Sequence, residues 1–334
     1  MNKEINIMDF KNIKVLITGG AGFIGSNLAI EFVKRGAIVS IFDNLDPHSG
    51  GNIFNLEQIS DKVKIYFNDL LNFDSLVNAI INQDIIINCA ASTSHPFSMK
   101  EPLIDLDVNS RGVLNLLEAI RRFNPKTKLI HIGTSTQLGH LIYKPGDEKH
   151  PEFPTDIYSA NKSVSEKYVL IYSKAYRIDA TVVRLSNTYG PRASIHSSDF
   201  TFNNFFIGLA LQNKEITVYG DGKQLRNTIF IEDAANAILL IAQKKETNGE
   251  TYFIVGDKHY SVAEIAETTI RIIGKGKVKH IAWPREREAT EIGDAVLSNA
   301  KIKNIIKWAP IIDLEEGLYR TNQYFSTCFD KYLR

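Results

Sequence analysis

One segment constrains the fold of this chain more than any other: "KVLITGGAGFIG", residues 14–25. A short β-branched apolar run ends at Thr18, glycines stand at positions 19, 22 and 25, and an apolar-periodic stretch follows at once. Glycines so spaced keep side chains away where backbone turns tightly or approaches a ligand. The helix opening behind them offers unbonded N–H groups and the positive end of its dipole to an anion. The strand–turn–helix rhythm then repeats. Candidate strands are "AIVSIF" 37–42, "KIYF" 64–67, "DIIINCA" 84–90, "KLIHIG" 128–133 and "TVVRL" 181–185, with helical patterns near 23–35, 72–82, 101–123 and 158–176. Apolar strands alternating with helices imply a parallel sheet covered on both faces, an α/β doubly wound fold.

After about residue 186 the rhythm breaks. Gly and Pro cluster at "YGPRA" 189–193 and "YGDGKQ" 219–224, and "SVAE" 261–264 reads as a capping box opening a helix to about 273. Two regions are expected: residues 1–185 as the cofactor-binding domain, with 225–245 returning to it, and 186–334 as a smaller, largely C-terminal α/β substrate region. The second should lie over the carboxyl ends of the strands, where open α/β sheets bind ligands.

Asp43 ends the second strand, 24 residues beyond Gly19. A carboxylate there accepts hydrogen bonds from an adenosine ribose and repels a 2′-phosphate, which favours NAD over NADP. Net charge is +1 over 334 residues, so neither nucleic acid nor an anionic membrane is expected as a partner. The longest apolar stretches, such as "AILLIA" 237–242, are far too short to span a bilayer, and the N-terminal residues hold no apolar run of signal-peptide length. Cys89 and Cys328 match no metal or redox spacing. A soluble, reduced, cytoplasmic protein without a metal centre is expected.

"YSANK", 158–162, opens the long fourth helical pattern. One turn puts Tyr158 and Lys162 on the same face, where the ammonium is expected to lower the tyrosine's pKa from roughly 10 towards neutrality and make it a base. Tyr219 and Lys223 share the spacing, but "YGDGK" carries two glycines and is not expected to be helical.

Together the glycine loop, Asp43, "CAA" 89–91, "DVNSRGVLNLLEA" 107–119, "GTSTQLG" 133–139, "YSANK", "RLSNTYGPR" 184–192, "VYGDGKQLRNTIFIEDAANA" 218–237 and "WAPIIDLEEGL" 308–318 resemble the extended short-chain dehydrogenases. More narrowly they resemble the NAD-dependent nucleotide-sugar epimerases and dehydratases. The resemblance covers nearly the whole chain. It implies a Rossmann domain in which Gly19, Gly22, Phe23, Ile24 and Gly25 line the NAD pyrophosphate, with Asp43 and Asn44 at the adenosine ribose. Asp69 and Leu70 would lie beside the adenine, and Ala90, Ala91 and Asn109 would add to the cofactor wall. Tyr158 would be the base, Lys162 would hold the nicotinamide ribose, and Thr134 would hold the sugar hydroxyl, with Ser135 beside it. Asn187 would contact the nucleotide sugar and Arg226 its diphosphate, a role that suits a guanidinium fork on independent grounds. Arg287 is a looser second cation, and His95 would sit near the nicotinamide side. Leu138 and Ile254 depart from the usual pattern, which has an aromatic and an asparagine there. The family commonly dimerises through a four-helix bundle. Val113, Leu116, Leu117, Val169 and Tyr172 could form that seam or could pack on the protein's own sheet.

The hydroxyl run narrows the reaction. All these enzymes oxidise a sugar carbinol to a ketone. The 4,6-dehydratases then use an Asp–Glu pair after the active-site Thr, and related decarboxylases a Glu at the second of those positions. Here the two positions are Ser135 and Thr136. A hydroxyl is a poor acid and a worse base near neutral pH, and a missing acid–base group typically costs ~10²–10⁴-fold. A 4-epimerase acting on a UDP-sugar needs neither group and is the reading favoured. A dehydratase, decarboxylase or reductase on a similar sugar nucleotide stays open, as does a cofactor-binding regulator without catalysis.

Overall fold

The computed structural model describes residues 9–288 and 291–333, apart from the side chains of residues 286 and 287. Twelve strands are formed among them: β1 (Lys14–Thr18), β2 (Ile38–Asp43), β3 (Val63–Phe67), β4 (Ile85–Asn88), β5 (Lys128–Thr134), β6 (Asp179–Leu185), β7 (Asn187–Tyr189), β8 (Glu215–Tyr219), β9 (Leu225–Phe230), β10 (Thr251–Ile254), β11 (His259–Ser261) and β12 (Lys277–Ile281). Seven make a sheet in the order β10-β6-β5-β4-β1-β2-β3, with every neighbour parallel. The doubly wound α/β fold read from the alternation is thus what forms. The central strands are buried on both faces, so they read as unbroken apolar runs rather than alternating ones.

Helices cover each face. Phe23–Lys34 and Ile231–Gln243 pack with Val15, Ile17 and Ile130 on one side. Phe73–Ile80 and Gly112–Phe123 pack with Leu16, Leu129 and Val182 on the other. Val113, Leu116, Leu117 and Val169 belong to this second core and are fully or almost fully buried, and Tyr172 packs against it while its hydroxyl donates to Glu118. The structure thereby assigns these residues to the protein's own sheet. Truncating Leu116 to alanine should cost about 2–5 kcal/mol, as such cavities do.

The strand order reverses between β1 and β4, because β2 and β3 extend one way from β1 while β4, β5 and β6 extend the other. This switch point opens a crevice at the strands' carboxyl ends. The helix expected over 101–123 forms as one uninterrupted helical run over 102–123. The short helix His95–Lys100 precedes it, Pro102 opens it, and between Pro102–Leu106 and Gly112–Phe123 it widens into a π-helical turn at Asp107–Arg111. The helix Ile157–Tyr176 is capped by the Asp156 side chain, which accepts from the Ser159 amide.

The second region carries a three-stranded sheet, β11-β9-β7, and a two-stranded one, β12-β8, over a core that includes Ile207, Phe230, Ile265 and Leu318. Ser261 and Glu264 form the expected capping box on the helix Val262–Ile273. From this region the chain returns to the main sheet twice, through the helix Ile231–Gln243 and through the edge strand β10. Tyr219 ends β8, and Gly220 and Gly222 follow with positive φ, so Tyr219 and Lys223 are not on a helix.

Candidate active site

The crevice deepens into a cavity of about 900 Å³, lined by the glycine loop, the ends of β2, β4 and β5, the start of the helix Ile157–Tyr176, and loops of the second region. At its floor Gly19 has φ +64°, and a Cβ there would lie 2.6 Å from the Ala90 amide nitrogen. Only a glycine lets the loops after β1 and β4 meet so closely. A Cβ on Gly25 would lie 2.3 Å from the Gly19 carbonyl oxygen, so this glycine lets the helix seat on its loop. Gly22 differs, since a Cβ there would touch only the Gly19 oxygen, at 3.2 Å. It caps the helix Phe23–Lys34 without a side-chain bond, which leaves first-turn N–H groups for an anion in the cavity.

Asp43 accepts from the Ala21 amide at 2.9 Å and the Leu45 amide at 2.8 Å. Burial raises its pKa, and these two bonds offset part of that effect. Each oxygen has a further lone pair, so the carboxylate can also accept from a ribose. Asn44 donates to Asp69 at 2.7 Å, and with Leu70, Phe23, Ile24, Ala90 and Ala91 these residues line the same end. Asn109 does not reach the cavity surface. It is fully buried behind the wall, where its amide donates to the Ser92 carbonyl and fixes the loop after β4. The residues at this end fit a dinucleotide: an open glycine, free helix amides and an acid two loops away.

Thr134, Ser135, Tyr158, Lys162, Asn187, Arg226 and His95 line the other end. The Thr134 hydroxyl is hydrogen-bonded to that of Thr136 at 3.1 Å, and Thr136 to Ser159 at 2.8 Å. The expected lowering of the tyrosine pKa is not found. Burial raises it, the nearby Thr134 hydroxyl offsets this only in part, and Asp156 and Asp105 push it further up. The Lys162 ammonium is spent on the Ile132 carbonyl at 2.5 Å, and burial brings its own pKa down to about 8. Shared helical face therefore put the two groups side by side without pairing them.

Arg226 also meets a partner that nothing in its sequence neighbourhood announces. One guanidinium nitrogen donates to the Leu225 and Gly293 carbonyls and another pairs with Glu291 at 2.5 Å. Arg287 falls in the short helix Arg285–Glu288, but its side chain lies outside the described residues. Asn187 donates to the Asn227 carbonyl at 3.0 Å, across the β7–β9 pair. Sequence reasoning missed Glu291 and Asp156 as cavity residues. Asp156 carried a usable signal, an acid just before an apolar-periodic helix. Glu291 carried none. No group of three or more metal-ligating side chains occurs among the described residues.

The model of the GDP-mannose 4,6 dehydratase family matches residues 16–321. A putative UDP-glucose 4-epimerase of Methanocaldococcus jannaschii is 30% identical, over 92% of this chain and 96% of its own. A UDP-glucuronic acid decarboxylase 1 of Xenopus tropicalis is 29% identical over 93% and 72%, and a dTDP-glucose 4,6-dehydratase of Xanthomonas campestris 28% identical over 93% of each. Among solved structures, the UDP-glucose 4-epimerase of Thermus thermophilus in complex with NAD superposes with a TM-score of 0.84 at 27% identity, over 95% of this chain and 100% of that one. The dTDP-glucose 4,6-dehydratase of Bacillus anthracis, also with NAD, gives 0.83 at 28% over 96% and 98%.

Proposed function

The chain belongs to the NAD-dependent nucleotide-sugar epimerase and dehydratase family, and from that premise we propose that it is an epimerase inverting C4 of a UDP-sugar through a transient 4-keto sugar. The observation that carries this reading is the hydroxyl pair after Thr134. Ser135 and Thr136 stand where elimination needs an acid and a base, and the Thr136 hydroxyl is already engaged by Thr134 and Ser159.

NAD held on the glycine loop and Asp43 would supply the hydride acceptor and donor. The chain's own residues handle protons and position. Thr134 holds the hydroxyl of the reacting carbon against Tyr158, which takes its proton and later gives it back. Burial holds the Tyr158 pKa above its ordinary value, so groups bound beside it must favour the tyrosinate for it to act as base. Arg226 would hold the diphosphate in bidentate fashion after leaving Glu291, while Asn187 contacts the nucleotide sugar. The roles of Ser135 and Arg287 toward the same substrate are part of this proposal.

We also propose a cytoplasmic homodimer. Leu103 and Leu106 on one helix, and Val164 and Ile171 seven residues apart on another, are exposed apolar side chains suited to a second copy. No helix among the described residues is long and apolar enough to cross a membrane. The test of the reaction is proton NMR of the purified protein with UDP-, CDP-, GDP- and dTDP-sugars and no added cofactor. A new anomeric signal at constant total sugar is expected. A 4-keto-6-deoxy or decarboxylated product would overturn the reading of Ser135 and Thr136.

A further inference from the structure

A second titratable pair opens on the same cavity, and nothing above uses it. His95 begins the helix His95–Lys100 after β4, and its Nδ1 lies 2.7 Å from Oδ2 of Asp156. Asp156 is itself fixed, because Oδ1 accepts the Ser159 amide at 2.8 Å as the cap of the helix that carries Tyr158. Burial acts to raise the Asp156 pKa, but the His95 hydrogen bond and charge, with the Ser159 amide, bring it below the usual carboxylate value. An ionised carboxylate at Nδ1 assigns the proton to that nitrogen in the neutral ring and leaves the Nε2 lone pair free.

Nε2 of His95 makes no hydrogen bond to another described residue, and His95, Asp156 and Tyr158 all line the cavity. The His95 ring meets the Tyr158 ring edge-on, with centroids 4.8 Å apart and planes at 74°. Other histidines are spent differently. His131 and His150 have both ring nitrogens hydrogen-bonded within the protein. A carboxylate that orients an imidazole whose far nitrogen faces a reaction cavity is the arrangement of a working acid–base group.

We propose that His95, oriented by Asp156, exchanges the proton on the carbon adjacent to the oxidised sugar carbon. The inference rests on the reading of this site as one that forms a keto sugar. Once the carbinol is a ketone, the neighbouring C–H is acidified, and Nε2 removes its proton. The electron pair of that C–H bond becomes the new C=C bond, and the carbonyl π pair moves onto oxygen. The resulting enolate lies among the Thr134 and Tyr158 hydroxyls. Return of a proton from Nε2–H restores the ketone with no net oxidation or reduction. An imidazolium exchanges its proton with water, so the proton returned comes from solvent. His95 thereby supplies a base for the carbon acid, while the hydroxyls at 135 and 136 offer no acid to a leaving hydroxyl, so the enolate is reprotonated rather than losing water.

The test is turnover of UDP-glucose and of UDP-glucuronate by the full chain in deuterium oxide, with recovered sugars analysed by mass spectrometry and NMR. Wild type should build deuterium into the carbon next to the inverted one. His95→Gln should slow that exchange by about 100-fold or more, while inversion itself falls by less than about 10-fold. Asp156→Asn keeps a capping side chain and should lower exchange in the same direction. Inversion by wild type without deuterium overturns the proposal and leaves the epimerase reading standing, as does His95→Gln exchanging at the wild-type rate. Failure to turn over any sugar nucleotide in the NMR panel sinks the epimerase reading and this proposal together.

Discussion

The two ends of the cavity are built on different principles. At the dinucleotide end, steric fit and backbone do the positioning: Gly19 and Gly25 tolerate no Cβ, and Asp43 is held by two amides of neighbouring loops. At the proposed sugar end, charged side chains from distant segments face one another. Arg226 pairs with Glu291 and His95 with Asp156, while Lys162 rests on the Ile132 carbonyl. The first end is ready to receive its ligand. The second has its charges satisfied internally, so a ligand must displace partners before it gains contacts, and binding energy there is a difference between two paired states.

The sharpest test of this contrast lies at the sugar end. Tyr158→Phe should lower kcat by about 10²–10⁴-fold with the dinucleotide still bound, measured by NMR turnover and by cofactor content of the purified protein. If the chain were a regulator without catalysis, the same variant would leave ligand affinity unchanged and there would be no turnover to lose.

Gly25→Val probes the other end. The added side chain has no room against the Gly19 carbonyl, so the helix Phe23–Lys34 must shift. Overpacking of this kind costs about 1–3 kcal/mol, and NAD should be lost during purification. Retained cofactor with an unchanged Tm would break the claim that steric fit governs this end.

Next in size are the two partners at the proposed diphosphate position. Arg226→Ala should weaken UDP binding by about 10–100-fold, the scale of a lost charged hydrogen bond. Glu291→Gln should strengthen it by about 10-fold, since a neutral amide competes less for the guanidinium. Calorimetry of UDP binding measures both. Weaker binding by Glu291→Gln would mean that Glu291 organises Arg226 for its ligand rather than competing with it.

The last contrast is read as a pH dependence. Lys162 titrates near 8 when folded, below its ordinary value of 10.5, because burial disfavours the ammonium. The unfolded chain therefore binds more protons between those values. The stability contributed by this group is present above about 10.5 and is lost as pH falls through about 8. Lys162→Met should remove that rise, read as the difference between the two proteins' denaturation midpoints across the window. Identical slopes would mean that the lysine is not desolvated as described.

The sequence by itself determined the parallel sheet, the helices on both faces, the glycine loop and Asp43. These follow from local periodicity and from steric limits that act within a few residues. It also placed Tyr158 and Lys162 on one helical face, since the helix repeat is a local property. It could not say what each charge would face. The Lys162 ammonium turned to Ile132, Arg226 met Glu291, and Asn109 withdrew behind the wall, each through contacts between segments far apart in the chain. The π-helical turn at Asp107–Arg111 within the 102–123 helix and the burial of Val113, Leu116 and Leu117 inside the sheet's own core were likewise tertiary outcomes. An apolar helix face needs cover, but periodicity does not say whether a sheet or a second copy provides it. Electrostatic pairing and packing depend on which distant groups arrive at one place, and only the folded chain decides that.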